Sequence, residues 1–252
     1  MRTVAMIQAR MGSSRLPGKV LAELGGATML TQVVRRVREA RWVTEVVVAT
    51  STGADDDAVV RAATRLGVGV HRGSVHDVLA RFLGAARAFR ADAIARVTAD
   101  CPLLDPGVID RVIAALTGEV DYASNTHQRS FPRGLDVEAL HRDTLERIAR
   151  LGSSPAAREH VTAFVMEQPA LFRTAQIAAE RDDSDLRWTV DTPDDLAMVR
   201  GLYAALDLGA AGGLGARSRP YAEVVAAVRA RPELAAVNAH VEQKPWQVTD
   251  VA

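Results

Sequence analysis

Residues 4–19 read VAMIQARMGSSRLPGK and place a short apolar run directly before a glycine-rich, basic turn. The run is typical of a buried first strand. The chain contains twenty-nine arginines but only two lysines, and one of these lysines, Lys19, closes the turn. Glycines let backbone N–H groups converge on an anion, and Arg10, Arg15 and Lys19 add three positive charges. The turn is therefore a candidate phosphate-binding loop; an ordinary strand-to-helix connection with solvated basic residues is the alternative.

Strand and helix patterns alternate along the first half of the chain. Strands are predicted at 3–9, 44–50, 68–71 and 92–98, and amphipathic helices at 28–40, 55–66 and 75–89. This alternation predicts an α/β fold with a mainly parallel, Rossmann-like sheet and helices on both faces. Because ligands of such sheets bind at the carboxyl ends of the strands, the basic turn lies where a ligand is expected.

The alternation breaks at about residues 121–185, which we interpret as an excursion from a single domain spanning 1–252. Helices are predicted near 141–151 and 155–168, strands at 171–178 and 186–190, a loop at 209–219 and a C-terminal helix at 220–230. Thr192 and Pro193 have the N-cap and first-turn chemistry of a further helix start.

The composition is that of a globular protein: of 252 residues, 48% are apolar, and the formal net charge is zero. A balanced charge argues against a general nucleic-acid-binding protein. The sequence lacks an apolar run of membrane-spanning length and a signal-peptide pattern, so we expect no membrane association and a cytoplasmic location. The single cysteine, Cys101, excludes an internal disulfide and is expected to be a buried packing residue.

Two acidic turns complement the basic one. Asp100 ends a predicted strand in TADCP, and Asp191 does so in WTVDTP. If both carboxylates face the cleft beside the glycine-rich turn, they could hold Mg²⁺ while the ion bridges nucleotide phosphates. Taken singly, each aspartate could instead cap a helix. The hypothesis therefore requires that the side chains of Lys19, Asp100 and Asp191 border a common pocket.

The three turns together resemble the cytidylyltransferases that make CMP-activated sugar acids, including CMP-KDO and CMP-sialic acid synthetases. The nearest branch is that of spore coat polysaccharide biosynthesis protein F. The resemblance extends through RGSVHDVLARF, SNTHQRSFPRGLDVE, REHVTAF and the terminal NAHVEQKPW, and so covers nearly the whole chain. It implies a nucleotidyltransferase sheet of the GT-A-like type.

The resemblance implies transfer of CMP from CTP to a sugar acid, with release of pyrophosphate and with Mg²⁺ as cofactor. The catalytic residues would be Lys19, Arg10, Asp100 and Asp191, with both aspartates as metal ligands. Nucleotide-binding positions would be Ala9, Arg10, Gly12, Ser13, Arg15, Lys19, Arg72, Gly73 and Arg81. A solvated strand-end arginine is the alternative for Arg72.

The acceptor side is expected around a Pro-Arg-Gly turn, because arginine binds carboxylates in a bidentate fork. Its candidate residues are Asn125, Arg129, Arg133, Asp136, Glu159 and His160. Arg129 could instead be solvated, and Glu159 and His160 could simply cap and pack a helix. The resemblance also implies a homodimer formed by the excursion. Two other functions stay open: a nucleotide-sugar-dependent glycosyltransferase, and a non-catalytic nucleotide-binding subunit of a polysaccharide assembly complex.

Overall fold

The computed structural model describes residues 1–209 and 218–243. Its strands are β1 (Thr3–Gln8), β2 (Glu23–Leu24), β3 (Ala27–Thr28), β4 (Glu45–Ser51), β5 (Gly69–Gly73), β6 (Ala93–Thr98), β7 (Tyr122–Ser124), β8 (Glu138–His141) and β9 (Thr174–Gln176). Strands β2 and β3 form a separate hairpin, and the others form one sheet in the order β5-β4-β1-β6-β8-β7-β9. The four predicted strands of the first half pair in parallel, as expected.

The helices are α1 (Met29–Arg38), α2 (Asp57–Arg65), α3 (Val78–Ala88), α4 (Pro106–Ala114), α5 (Arg142–Leu151), α6 (Pro155–His160), α7 (Ala163–Glu167), α8 (Pro193–Leu206), α9 (Tyr221–Arg229) and α10 (Pro232–Ala236). Short 3-10 helices cover Lys19–Leu21, Ala54–Asp56 and Pro169–Leu171. As predicted, Thr192 caps α8: its hydroxyl accepts the backbone N–H of Asp195, and the Asp195 carboxylate accepts the N–H of Thr192.

The core lies on both faces of the sheet, because successive strand residues point in opposite directions. Ala5 and Ile7 of β1 face the side covered by α1, α2, α4 and α8, where Cys101 is also buried. Val4 and Met6 face the side covered by α3, α5, α6 and α7. The predicted α/β architecture with helices on both faces is confirmed.

Residues 121–185, interpreted as an excursion, contribute three strands to the same sheet. Strand β8 runs antiparallel to β6 and to β7, and β9 pairs with β7 in parallel. The helix predicted over 155–168 is divided into α6 and α7, because Val161 between them has a positive φ of 61°. The sheet is therefore mixed, with one antiparallel strand beside the parallel part.

The strand predicted at 186–190 is wrong: the structure has a single bridge there, between Arg133 and Arg187. Trp188 N–H donates to Arg133 O at 2.6 Å, and Val190 N–H donates to Asp100 O at 2.8 Å. The backbone of this segment is thus bonded to a loop and a turn rather than to a strand edge. Helix α9 matches the predicted C-terminal helix, and of the loop predicted at 209–219, residues 210–217 lie outside the described residues.

Gly134 lets the backbone of Trp188 and Thr189 pack closely against its own. Its φ is 104°, and a Cβ there would lie 2.6 Å from Trp188 C and from Thr189 N. We expect Gly134→Ala to lower the free energy of unfolding by about 2 kcal/mol or more, because backbone atoms cannot move aside cheaply.

Urea denaturation measures this effect, and Gly118→Ala is the matched control. A Cβ at Gly118 would meet nothing within 4 Å, so we expect a change below about 0.5 kcal/mol. Equal stabilities of the two variants would contradict the packing argument.

Candidate active site

The glycine-rich turn is closed by its own backbone and anchored to β4. Gly18, with a positive φ of 73°, donates its N–H to Met11 O at 2.9 Å. Met11 N–H donates to Asp56 Oδ1 at 2.7 Å, and the second oxygen of Asp56 accepts the N–H of Ser51 at the end of β4. Asp56 is buried, and the backbone N–H groups of Met11 and Ser51 help to hold its pKa below the ordinary value, although burial alone raises it. The turn is therefore fixed to the carboxyl edge of the sheet.

Lys19 joins the two acidic turns. Its Nζ donates to Asp100 Oδ2 at 2.7 Å, to Asp191 Oδ1 at 2.8 Å and to Val190 O at 2.8 Å, and the residue is 8% exposed. The required convergence of the three side chains is thus present. Neither aspartate is a helix cap, since Asp105 caps α4 and Thr192 caps α8.

Ion pairing outweighs burial in setting the pKa values of Lys19 and Asp100. Burial lowers the pKa of Lys19, but the carboxylates of Asp100 and Asp191 outweigh it, so the pKa of Lys19 lies above its ordinary value. Burial likewise raises the pKa of Asp100, but the Lys19 ammonium outweighs that effect and lowers it. Both groups are therefore charged at neutral pH.

Two arginines complete the surroundings of Asp191. Arg15 Nη2 lies 3.1 Å from Asp191 Oδ2, and Arg187 Nη2 donates to the same oxygen at 2.8 Å. Arg15 comes from the glycine-rich turn, whereas Arg187 comes from the segment before Asp191. Three cations therefore surround one carboxylate.

A cavity of about 170 Å³ opens beside this cluster. Of the predicted nucleotide-binding and catalytic residues, its lining contains Arg10, Gly12, Ser13, Arg15, Lys19, Asp100 and Asp191. Gln8 and Thr98, from the ends of β1 and β6, also line it, as do Ser14 and Val20. Arg10 has no carboxylate partner within residues 1–209 and 218–243, so its charge is available to an anion in the cavity.

Four other predicted nucleotide-binding residues lie outside this lining. Ala9 is buried, and its N–H donates to Ala49 O. Arg72 donates to the carbonyls of Ser51 and Gly53, and Gly73 packs closely against Arg81. Ala9, Arg72 and Gly73 are thus in contact with other parts of the protein, and their role in nucleotide binding stays a prediction.

Arg81 differs from them because its buried guanidinium is only partly bonded. Nη1 donates to Ser74 O at 3.0 Å, whereas Nε and Nη2 have no hydrogen-bond partner in the described part of the chain. Burial, followed by the nearby charge of Arg10, lowers the pKa of Arg81 to about 10. Its proximity to Arg10 keeps it a candidate for the nucleotide side.

A larger cavity, of about 650 Å³, lies on the other side of β6. Of the predicted acceptor-binding residues, its lining contains Arg129, Arg133, Asp136 and His160. Thr98 lines both cavities, so the end of β6 is their common wall. Arg129 and Asp136 form a bidentate pair at 2.6 and 2.9 Å, whereas the Arg133 guanidinium has no carboxylate partner in the described residues.

Asn125 and Glu159 are not part of this lining. The Asn125 amide donates to Leu135 O at 2.7 Å and accepts the N–H of Val137 at 2.9 Å, so its polar atoms hold the loop from 125 to 137. Asn125 thus satisfies the hydrogen bonds that a buried amide requires, and its contact with an acceptor stays a prediction.

The floor of the larger cavity contains a polar network that sequence reasoning missed. Glu138 is buried, forms an ion pair with Arg96, and accepts hydrogen bonds from Thr162 and, at 2.5 Å, from Tyr122 Oη. Arg96 and Glu138 are register partners on β6 and β8. The sequence carried one signal for this pair: Arg96 in β6 and Glu138 in β8 are each a single charge in a short strand. A buried charge normally has a partner of opposite sign.

The donor set suits a hard divalent cation. Within the described ranges, no group of three or more His, Cys, Asp or Glu side chains is arranged to hold a metal ion. Asp100 and Asp191 nevertheless place two carboxylates on one cavity, and Mg²⁺ commonly binds through one or two carboxylates together with substrate phosphates. The two aspartates therefore fit the protein's share of such a site.

None of the helices in the described residues is long and apolar enough to cross a lipid bilayer.

The strand-end turns, the basic loop and the paired carboxylates define a nucleotide-binding α/β protein of the nucleotidyltransferase type. A family model described as cytidylyltransferase matches residues 4–212. The chain belongs to the cytidylyltransferase family, and it is a CTP-dependent nucleotidyltransferase.

Individual relatives agree with this assignment. The spore coat polysaccharide biosynthesis protein SpsF of Bacillus subtilis is 36% identical over 79% of this chain and 85% of its own length. A 3-deoxy-manno-octulosonate cytidylyltransferase of Anaeromyxobacter sp. (strain K) is 31% identical over 81% of this chain and 99% of its own. The solved structure of a cytidylyltransferase from Leptospira borgpetersenii matches with a TM-score of 0.87 and 32% identity, covering 93% of this chain and 97% of that one.

The ion pairs of Lys19 predict a pH-dependent stability. In the wild type, the lowered pKa of Asp100 stabilises the fold above the ordinary carboxyl pKa of about 3.9, and this contribution is lost as pH falls through the folded-state value. In Lys19→Met, the half-buried carboxylate keeps its desolvation and loses its cation, so its ionisation opposes folding. We expect the stability gap between wild type and Lys19→Met to widen by about 2 kcal/mol between about pH 4 and pH 7.

Urea unfolding across this pH range measures the gap. Arg87→Met is the control, because Arg87 pairs with Glu146 at 3.4 Å between two exposed side chains. Its effect should be nearly independent of pH. A gap for Lys19→Met that stays constant with pH would contradict the electrostatic account.

Proposed function

We propose that this enzyme transfers CMP from CTP to a sugar acid of the nonulosonic or octulosonic type, with release of pyrophosphate, in polysaccharide or glycoconjugate biosynthesis. The observation that carries the proposal is the convergence of Lys19, Asp100 and Asp191 on the cavity lined by the glycine-rich turn. The names of the two curated relatives, one concerned with a spore coat polysaccharide and one with 3-deoxy-manno-octulosonate, support this acceptor class.

The reaction requires little covalent chemistry from the protein. An acceptor hydroxyl oxygen attacks the α-phosphorus of CTP, the bond from that phosphorus to the bridging oxygen breaks, and pyrophosphate leaves; the hydroxyl proton passes to solvent. Charge builds on phosphoryl oxygens, so positioned cations should supply most of the stabilisation. Arg10, Arg15 and Lys19 lie on one cavity wall and are suited to this role.

The expected metal is Mg²⁺, held by Asp100 and Asp191. When bound, it would supply Lewis-acid polarisation of the α-phosphate. The Lys19 stem is flexible, so its ammonium can neutralise phosphate charge from the same cavity wall.

The acceptor side of the proposal rests on the larger cavity. Its common wall with the smaller one, at Thr98, would bring an acceptor hydroxyl next to a bound α-phosphate. Arg129 is neutralised by Asp136, whereas Arg133 is free of a carboxylate partner in the described residues. Arg133 is thus the better candidate for the carboxylate of a sugar acid. The homodimer and the cytoplasmic location stay predictions.

The direct test is a pyrophosphate-release assay with CTP, Mg²⁺ and a panel of sugar acids. Release that depends on one sugar acid supports the proposal. Absence of release with every acceptor, together with absence of CTP binding by calorimetry, overturns it. Hydrolysis of a nucleotide sugar without use of CTP would point to a glycosyltransferase instead.

We expect Lys19→Ala and Asp100→Asn each to lower kcat by more than about tenfold, because a well-placed charge in the transition state contributes at least about 1.4 kcal/mol. The measurement is pyrophosphate release by variants whose folding is confirmed by circular dichroism. Arg41→Ala is the control, since the Arg41 side chain is 88% exposed and lies outside both cavities. Near-normal rates in folded Lys19 and Asp100 variants would contradict the catalytic roles proposed for these two residues.

For the acceptor, we expect Arg133→Met to raise the KM of the sugar acid by more than about tenfold while the KM of CTP changes by less than about threefold. Steady-state kinetics with each substrate varied in turn separates the two. Arg111→Met is the control, because that arginine donates to Ala178 O outside the cavity. An equal rise in both KM values would place Arg133 outside the acceptor site.

A further inference from the structure

Arg187 holds Asp191 from the side facing away from the nucleotide cavity. Its Nη2 donates to Asp191 Oδ2 at 2.8 Å, while the other carboxylate oxygen accepts from Lys19. The Arg187 side chain is 7% exposed and does not line the cavity, whereas Lys19 and Arg15 do. The two oxygens of Asp191 therefore have different partners: Oδ1 accepts from Lys19, whereas Oδ2 accepts from the buried Arg187 and also lies 3.1 Å from Arg15.

The guanidinium is itself anchored. Nε donates to Asp195 Oδ1 at 2.8 Å and Nη2 to Asp195 Oδ2 at 3.2 Å, and Asp195 is fully buried. Asn238 donates to Asp195 Oδ1 at 2.8 Å and to Arg187 O at 3.0 Å. Nη1 donates to Gln243 Oε1 at 2.7 Å. The position of Arg187 is thus set by three side chains outside the nucleotide cavity.

The orientation of a carboxylate needs such support. The terminal torsion of an aspartate is soft, so the side chain alone does not decide which oxygen faces a ligand. Lys19 and Arg15 belong to the phosphate-binding wall, and their charges are needed there in the proposed reaction. Arg187 is buried and bonded to Asp195 and Gln243, so it can hold Asp191 without also binding phosphate.

We propose that Arg187 is a positioning residue: it fixes the rotation of the Asp191 carboxylate so that Oδ1 stays directed into the nucleotide cavity. The inference rests on the proposed function, in which Asp191 contributes to the metal and nucleotide site. Asp195 serves this purpose indirectly because it holds the guanidinium, and Asn238 does so because it donates to Asp195 and to the backbone carbonyl of Arg187.

Two variants remove the positioning without changing the net charge beside Asp191. Arg187→Lys keeps the charge and loses the planar fork. The double variant Arg187→Met with Asp195→Asn removes both members of the buried pair, which costs far less than leaving one buried charge unpaired. The amide oxygen introduced by Asp195→Asn can still accept the backbone N–H of Thr192 at the start of α8. Arg36→Lys is the matched control, since Arg36 is also buried and donates to Leu104 O away from the cavity.

Three readouts separate positioning from a purely structural role. For both Arg187 variants, we expect kcat to fall by more than about tenfold, with KM values for CTP and sugar acid changed by less than about threefold. We expect the affinity for Mn²⁺ in the presence of CTP, measured by electron paramagnetic resonance, to weaken by about fivefold or more. Arg36→Lys should leave kcat and Mn²⁺ affinity within about twofold of wild type, even if its melting temperature falls.

Folded Arg187 variants with wild-type kcat and Mn²⁺ affinity would overturn the inference. So would loss of cooperative melting in both variants, since that result makes Arg187 a structural residue. Failure of the proposed function has a different signature: the wild type would then release no pyrophosphate with any acceptor. The Mn²⁺ comparison between wild type and variants would still test the orientation of Asp191.

Discussion

The ammonium of Lys19 is the interaction on which the site depends. It joins Asp100 and Asp191, which lie 81 and 172 residues further along the chain, and it donates to a backbone carbonyl beside one of them. Two carboxylates at such short range repel each other and lose hydration on burial, so their approach requires a cation. Lys19 also lines the cavity beside the glycine-rich turn. Stability and proposed chemistry therefore depend on one charge cluster.

The sheet order places the two cavities side by side. Strands β1 and β6 are neighbours, so the basic turn after one lies next to the acidic turn after the other. On the far side of β6, the antiparallel strand β8 brings Glu138 opposite Arg96, and the buried pair forms the floor of the larger cavity. Thr98, at the end of β6, borders both cavities. A group transferred between two ligands would need only a short path past this strand end.

Buried charges at the site are balanced in layers. Lys19 and Arg15 face the cavity, Arg187 lies behind Asp191, and Asp195 lies behind Arg187. Each of these five charged side chains thus has a partner of opposite sign, as low-dielectric surroundings require. Such layering lets the outer cations respond to an anion in the cavity while the inner pair keeps the carboxylate in place.

By itself, the sequence determined the alternation of strands and helices, the three charged turns and the family, because these depend on local periodicity and on short motifs. It predicted that Lys19, Asp100 and Asp191 border a common pocket only because their turns follow strand ends. The false strand at 186–190 and the missed pair Arg96–Glu138 share a cause: strand pairing and charge neutralisation join residues distant in sequence. Only the tertiary structure decided which arginines are neutralised and which face a cavity, because that depends on which carboxylates the fold brings within hydrogen-bonding distance.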